Sequence, residues 1–458
     1  MRTALVNKKE IFRADHRFDP SFHLSRGIET RRRLLHSPLG ITTVSEVSSR
    51  IFYGLRANRV YVTKIDRAIP FLTGASIMQS DLNNTKLVSK KYSPAIDEMT
   101  IKEGWVMITR SGTVGQTAWS NRLHAGKYGS EDIIRVVPSN AAKGGVLYAF
   151  FSSKYGQSLL TQGSFGAVIK HIEPDFVGSL PIPKFSIPFH NEVDKLIQES
   201  ASLREEAAAK LDEAKKMVAS FVNVPFEKKM YKTDIVASKN ILKSLQCRLD
   251  PPAHIFDGVY TMKEVASHFH CKKISEINVK VYRPGIFKRI YVDKGIPYIK
   301  GSEIFLINPF RRCEQLSRTR TPFIDEMTLT EGQILMTCAG SVGNVKLITK
   351  EYEEKHAIGS QDIIRVESLD DLFTREYLFT YFQLPFVYDY IQSMKYGSVI
   401  ERIEPFHVES IPVVQPTKEL SQIVSSLIKE YMDCSYRAFC ADEKAINMVE
   451  EEIDKWSD

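Results

Sequence analysis

The sequence predicts a mixed α+β chain: two homologous domains in tandem, related by a pseudo-twofold axis and joined by two long helices that form an antiparallel coiled coil. Three observations carry this expectation. A block near residue 100 returns about 230 positions later. Each copy mixes short apolar strand runs, glycine turns and stretches with helical spacing. Each copy is then followed by about 30 residues with a heptad stripe.

The chain has 458 residues, which suggests two or three domains with real cores. A 43% hydrophobic share with 24 Gly and 20 Pro excludes a disordered, collagenous or disulfide-framework protein. The net charge of +7 is unevenly placed. Residues 1–185 carry 26 basic and 14 acidic side chains, residues 232–415 carry 24 and 23, and residues 416–458 carry 5 and 10. A basic excess gathered in one globular block points to a polyanionic partner. The six cysteines (Cys247, Cys271, Cys313, Cys338, Cys434, Cys440) form no C-x-x-C pair, as expected of reduced thiols in a cytoplasmic protein. His268-Phe269-His270-Cys271 lacks a second ligand pair at zinc spacing, so no metal is expected. Neither a signal peptide nor a membrane-length apolar run is expected.

The repeat is legible residue by residue. Ile96-Asp97-Glu98-Met99-Thr100 returns as Ile324-Asp325-Glu326-Met327-Thr328, and 11 of 21 positions are identical between residues 96–116 and 324–344. Gly129-Ser130-Glu131-Asp132-Ile133-Ile134-Arg135-Val136 returns as Gly359-Ser360-Gln361-Asp362-Ile363-Ile364-Arg365-Val366. Gly166-Ala167-Val168-Ile169-Lys170-His171-Ile172-Glu173-Pro174 returns as Gly397-Ser398-Val399-Ile400-Glu401-Arg402-Ile403-Glu404-Pro405. Upstream, Arg17-Phe18-Asp19-Pro20 pairs with Arg248-Leu249-Asp250-Pro251, and a looser match sets Thr43–Val47 against Thr261–Val265. The period is too long for a solenoid, whose units run ~20 to 50 residues.

Within each copy, Val106–Thr109 and Ile334–Thr337 read as buried strands that run into small-residue turns at Ser111–Gly115 and Gly340–Gly343. Ile133–Val136 and Ile363–Val366 are short strands. Tyr148–Leu160 and Tyr377–Ile391 each read as one helix. Leu180-Pro181-Ile182-Pro183 and Ile411-Pro412-Val413 close each copy as edge strands, since proline cannot donate to a central ladder.

The domains are therefore placed at 1–187 and 232–415, with a central helix at 188–231 and a C-terminal helix at 416–458. In the first helix, Leu196, Ser200, Leu203, Ala207, Lys210, Ala214, Met217 and Phe221 form the stripe. In the second it is Leu420, Val424, Leu427, Tyr431, Cys434, Ala438, Ala441 and Ala445. Roughly 30 residues at ~1.5 Å each make a rod of ~45 Å, which matches ~13 base pairs of duplex at ~3.4 Å. Two diverged copies on such a rod suit a divided target, where a homodimer has to read a palindrome.

The doubled order of domain and helix, the G-T/S-V-G turns, the G-S-x-D-I-I-R-V segment and the G-x-V-I-x-x-I-E-P stretch resemble the DNA specificity subunit of type I restriction-modification systems, over essentially the whole chain. The resemblance implies that each globular copy is a target recognition domain for one half of a bipartite double-stranded site. It implies helices that set the spacing and dock two DNA methyltransferase (modification) subunits, and a restriction/translocase subunit as further partner. Leu196, Leu203, Leu211, Leu427, Tyr431 and Met448 are the expected partner-binding positions. The openings at Arg17 and Arg248 precede the usual start of a recognition domain, which leaves room for a two-part system whose single partner both methylates and cuts. A scaffold that reads no DNA is the other alternative.

Recognition without catalysis and without a cofactor is the expectation. Asp250-Pro251-Pro252-Ala253 lacks the aromatic and the glycine-rich methyl-donor motif of an adenine methyltransferase, and Glu353-Glu354-Lys355 has no carboxylate counterpart in the first copy. Positions identical in both copies should hold the fold or contact phosphate, and positions that differ within the same loops should read bases. In the turn, Arg110, Ser111, Thr113 and Gln116 face Cys338, Ala339, Ser341 and Asn344. In the last loop, Lys170-His171 faces Glu401-Arg402, and Ser130 with Ser360 and Gln361 flank the conserved Asp. Phosphate clamps are expected at Arg59, Lys64, Ser76, Arg289, Lys300 and Ser302. Arg31-Arg32-Arg33 reads as a basic arm, with a solvated charge run as the competing reading.

Overall fold

The computed structural model describes Val6, Lys8, Ile11 and residues 18–56, 59–62, 67–82, 85–93, 96–139, 143–164, 170–223, 236–243 and 245–456. Arg17, Lys64, the Gly166–Ile169 part of the last loop, the 224–231 part of the expected central helix and 232–235 of the second domain lie outside the described residues. The chain divides into two compact units, Met1–Glu205 with Arg437–Asp458, and Glu206–Tyr436.

The first unit opens with a short turn of helix that Asp19 caps by accepting from Phe22 N at 3.1 Å, with Pro20 at the first helical position where its missing N–H costs nothing. Helix α1 (Arg26–Leu34) follows. Strand β1 (Ile41–Thr43) pairs antiparallel with β9 (Pro181–Pro183), so the Pro-rich exit does form a two-stranded edge. Strands β2 (Ser48–Tyr53), β5 (Val106–Thr109), β6 (Thr117–Trp119) and β8 (Ile133–Pro138) form an antiparallel sheet in the order β2-β8-β5-β6. All four residues of β5 are buried, which explains its unbroken apolar run. A second sheet, in the order β4-β3-β7, comprises β3 (Ala68–Leu72), β4 (Lys86–Ser89) and β7 (Tyr128–Gly129). Pro70 is tolerated in its middle strand because β7 pairs only with Phe71 and Leu72.

The expected single helix over Tyr148–Leu160 is two: α2 (Gly144–Ser152) and α3 (Lys154–Gln162). Ser153 breaks it, leaving helical geometry (ψ 161°) and capping α3 by accepting from Gly156 N at 3.2 Å. A Cβ at Gly156 would sit 2.1 Å from the Phe150 carbonyl oxygen, so the break depends on glycine there. Helix α4 (Pro174–Gly178) precedes β9, and α5 (Ile187–Phe221) leaves the domain. The core of this unit joins α2, α3 and β5 to Val193, Leu196 and Ile197 of α5 and to Ala445, Ile446, Val449, Ile453 and Trp456 near the C-terminus. There, Phe185 meets Trp456 with ring centroids 5.9 Å apart, and Ser200 Oγ donates to the Ala438 carbonyl at 2.9 Å.

The second unit has helix α6 (Asp257–His268) and an edge pair of β10 (Cys271–Lys273) with β18 (Pro412–Val414). Its antiparallel sheet has the order β11-β17-β14-β15, from β11 (Val279–Tyr282), β14 (Ile334–Thr337), β15 (Val345–Leu347) and β17 (Ile363–Ser368). Its smaller sheet has the order β13-β12-β16, from β12 (Tyr291–Ile299), β13 (Glu314–Leu316) and β16 (Ile358–Gly359). Strand order and pairing sense are those of the first unit, and the rungs agree: Ile334 opposes Val366 as Val106 opposes Val136. Helix α7 (Lys350–Glu354) is added after β15. The expected helix over Tyr377–Ile391 is again two, α8 (Arg375–Phe382) and α9 (Pro385–Ser393), because the residue before Pro385 is driven out of helical geometry. Helix α10 (Pro405–Glu409) precedes β18, and α11 (Lys418–Asp454) ends the chain.

Two further expectations are corrected. The ladders set Val44 opposite Leu180 and Ile274 opposite Ile411 by equal 3.1 Å bonds, so Val44 corresponds to Ile274. Thr261–Val265 instead lies inside α6, and its match to Thr43–Val47 was a coincidence of composition. Beyond Ala207 the buried positions are Leu211, Ala214 and Val218 of α5 and Val222 just past it, so that Ala214 keeps its expected place while Lys210, Met217 and Phe221 are half-exposed. The apolar side chains win the inner positions, and Lys210 pairs with Glu430 instead. The stripe expected in α11 is buried throughout. No helix among the described residues is long and apolar enough to cross a membrane.

Candidate nucleic-acid interface

Each unit brings together the two loops in which the copies differ. In the first, Gly112 and Gly115 take positive φ (+73° and +82°), which only glycine adopts without strain, and bend the chain back on itself after β5. Thr109 pins the turn: its hydroxyl donates to the Thr113 carbonyl and accepts from Gln116 N at 2.8 Å. Gly340, Gly343 and Thr337 repeat this arrangement, with Asn344 N 3.2 Å from the Thr337 hydroxyl. The last loop then docks on the turn. Ser111 bridges to His171, with Ile172 N donating to the Arg110 carbonyl at 3.2 Å. Ala339 bridges to Arg402, with Ile403 N donating to the Cys338 carbonyl at 2.9 Å and Gly340 N to the Glu401 carbonyl at 3.1 Å.

Below each junction lies a buried arginine. Arg135 is fully buried and donates to the carbonyls of Ile133 (2.9 Å), Gly129 (2.8 Å) and Met99 (3.4 Å). Arg365 donates to Ile363 (2.7 Å), Gly359 (2.8 Å), Ser360 (3.1 Å) and Met327 (3.4 Å). Burial pushes both guanidinium groups down to about 10. Each therefore ties the end of the smaller sheet to the larger one, and the identity of this position in both copies reflects the fold rather than phosphate contact.

The expected contact residues divide by environment. Thr113, Lys170, Ser302, Ser341 and Glu401 are exposed. Gln116, Asn344, His171, Arg402 and Ser76 are half-buried. Asn344 Nδ2 donates to the Ser341 carbonyl at 3.1 Å, and Ser76 Oγ lies 2.9 Å from Thr73 Oγ1. Ser111 donates to the Asp132 carboxylate. Ser130 and Ser360 are corrected from contact residues to struts: both are buried, and their hydroxyls accept from Asp132 N (3.2 Å) and Asp362 N (3.1 Å). Gln361 and Cys338 are buried as well. Burial pushes the Cys338 thiol up to about 11, with Arg283 pulling the other way.

Several cations of the interface are held on carboxylates. Arg59 pairs with Glu131 and lies 4.9 Å over the Phe71 ring. Arg289 is 3.8 Å from Asp362 and donates to Tyr298 Oη at 2.8 Å, over that ring. Lys300 sits 2.8 Å from Glu314, and Lys395 pairs with Glu401. Arg110 is 2.6 Å from Glu173 and over the Tyr53 ring at 4.3 Å. In the second unit Arg283 holds the equivalent Glu404 at 3.2 Å. Glu173, Glu404 and Arg283 were missed in the sequence. The glutamates lie in the repeated I-E-P and gave a usable signal, whereas Arg283 corresponds in position to Tyr53 of the first copy and gave none.

Other expectations are redirected. In the Arg31-Arg32-Arg33 run, Arg31 Nε donates to Gln162 at 3.0 Å and Arg33 lies 3.7 Å from Asp454, so α1 is docked and is not a free arm. Leu196, Leu203, Leu211, Leu427 and Tyr431 are buried in the chain's own packing, and Met448 packs on the first unit's core. The first five are therefore corrected from a partner-facing row to core, while Met448 is half-exposed at its edge. Asp250 is tied to Arg248, which donates to the Ser393 (3.0 Å) and Lys395 (2.8 Å) carbonyls and so braces the end of α9. Among the described residues no group of three His, Cys, Asp or Glu is placed to hold a metal ion.

No protein-family model matches the chain, and no curated protein matches it in sequence. Among solved structures it is similar to the S subunit of the type I restriction-modification system from M. genitalium, at 10% identity and TM-score 0.33, covering 92% of this chain and 97% of that one. The HsdS subunit from Thermoanaerobacter tengcongensis matches at 12% identity and TM-score 0.29, covering 91% and 97%. The type IIG restriction endonuclease BpuSI matches over 38% of this chain and 28% of its own, at 10% identity and TM-score 0.29. TM-scores this low do not establish a shared global fold, so the reading of the interface rests on the chain's own residues.

Proposed function

We propose that this chain is the DNA specificity subunit of a type I restriction-modification complex, with the domains at 1–187 and 232–415 each reading one half of a bipartite duplex target. The observation that carries the reading is the recurrent two-loop junction. The same strand ladder presents the same pair of loops twice, and their exposed side chains differ: Thr113 and Lys170 in one, Ser341 and Glu401 in the other. A shared scaffold with divergent polar tips is what two unlike half-sites require.

The pseudo-twofold and the antiparallel coiled coil belong to this proposal. Within the first unit, Phe185 meets Trp456 while Ser200 meets Ala438, so one stretch runs up as the other runs down. Helices of 35 and 37 residues are the spacers, and their solvent-facing sides dock the methyltransferase subunits. Methyl transfer and cleavage belong to those partners and to the restriction subunit.

The test is selection from a random-sequence duplex pool by the full-length chain. Two short specified blocks separated by a fixed unspecified gap are expected. A continuous palindrome, or no enrichment, overturns the reading.

A further inference from the structure

We infer that Arg283 is the specificity-determining guanidinium of the second domain, doing for its half-site what Arg110 does for the first and reaching it from a different strand. The inference rests on the DNA-reading function proposed above.

The ladders fix the correspondence. Phe52 opposes Arg135 and Tyr282 opposes Arg365, so the next residues, Tyr53 and Arg283, are equivalent. Thr109 opposes Ile133 and Thr337 opposes Ile363, so Arg110 and Cys338 are equivalent. The first domain thus has Tyr on β2 and Arg after β5, and the second has Arg after β11 and Cys after β14. Both place one guanidinium on the same carboxylate, Arg110 on Glu173 at 2.6 Å and Arg283 on Glu404 at 3.2 Å. Both guanidinium side chains keep a similar sliver of exposure, 17% and 19%, at the junction of the two variable loops.

A tie between loops needs no such exchange, since either arrangement closes it. What the exchange alters is the approach. The strands of origin flank a common neighbour, β8 or β17, and stand two strand spacings apart, about 10 Å. Two forks that converge on equivalent carboxylates from opposite flanks turn their donors in different directions. The planar guanidinium matches guanine O6 and N7 by a pair of parallel donors, so its direction decides which base it can accept. The carboxylate holds the fork in place beforehand, which lowers the entropy of ordering it on the base.

The experiment is duplex selection from a random pool with the full-length wild type, Arg110→Gln, Arg283→Gln, Arg283→Lys and the double variant Arg283→Tyr/Cys338→Arg, each checked for an intact melting transition. Arg283→Gln and Arg283→Lys are expected to lose about ten- to a hundredfold of preference at one position of the second block only. Arg110→Gln loses it in the first block only. The double variant, which installs the first domain's arrangement, keeps affinity and changes the preferred base. Unchanged second-block preference in folded Arg283→Gln overturns the inference while leaving the proposed function standing, as does an unchanged preference in the double variant if Arg283→Gln fails to fold. A wild type that enriches nothing overturns the function itself.

Discussion

Nη2 of Arg135 donates to the carbonyl oxygen of Gly129 at 2.8 Å, and a Cβ at position 129 would lie 2.6 Å from that same nitrogen. The arginine and the glycine are therefore one device, and Arg365 with Gly359 repeats it, with a Cβ at 359 3.0 Å from Arg365 Nη2. Replacing Arg135 by Met removes a charge whose only carbonyl partners are buried, and should cost about 2–4 kcal/mol through acceptors left unsatisfied. Gly129→Ala should destabilise in the same direction. Denaturant unfolding checks both, and a midpoint equal to wild type for Arg135→Met would remove the device.

Glycines should differ sharply in their tolerance of alanine. At Gly258 a Cβ would lie 2.2 Å from Tyr390 N, a backbone atom of α9, so α6 has to move and the cost should exceed about 2 kcal/mol. At Gly112 nothing lies within 4 Å, and only the positive φ opposes a side chain, which costs about 1–2 kcal/mol. Thermal melting of the two variants should rank them in that order.

Acid should weaken the first unit through His124, whose ring lies buried with Nδ1 2.8 Å from Asn121 Oδ1. Burial pushes it from 6.5 down to about 4. The unfolded chain then binds a proton that the folded chain refuses, so this contribution is complete above pH 6.5 and is lost as pH falls towards 4. The loss is on the order of 3 kcal/mol at most. His124→Gln should flatten the stability profile between those values, as followed by urea unfolding at stepped pH.

Carboxylates at the interface should oppose DNA. Lys300 is held by Glu314, an exposed pair worth about 0–1 kcal/mol to the fold. Lys300→Ala and Arg289→Ala should each lower the salt slope of duplex binding by about 1, whereas Glu314→Gln should leave the slope and tighten binding. Anisotropy titrations of a mixed-sequence duplex at stepped KCl separate these outcomes, and an unchanged slope for Lys300→Ala removes it from the phosphate contacts.

The two variable loops themselves were legible in sequence because both segments recur with their glycines and the I-E-P in step, whereas their docking on one another was not. What the repeat could not reveal was which members of those segments face inward. Ser130, Ser360 and Gln361 are polar, and polarity suggests solvent; only the strand geometry turns them towards Asp132 and Asp362. The broken helices were hidden for a similar reason. Apolar spacing continues through Ser153 and Leu384, and a single cap or a single proline outweighs it. Arg283 was invisible because it lies outside the segments that recur in step, so nothing in the sequence set it against Tyr53.

The first unit is assembled from two segments that the whole second unit separates in sequence, with Ile446, Val449, Ile453 and Trp456 completing the core that holds Val193, Leu196 and Ile197. Vectorial synthesis therefore makes the whole of the second unit, continuous from Glu206 to Tyr436, before the residues from Arg437 on that complete the core of the first.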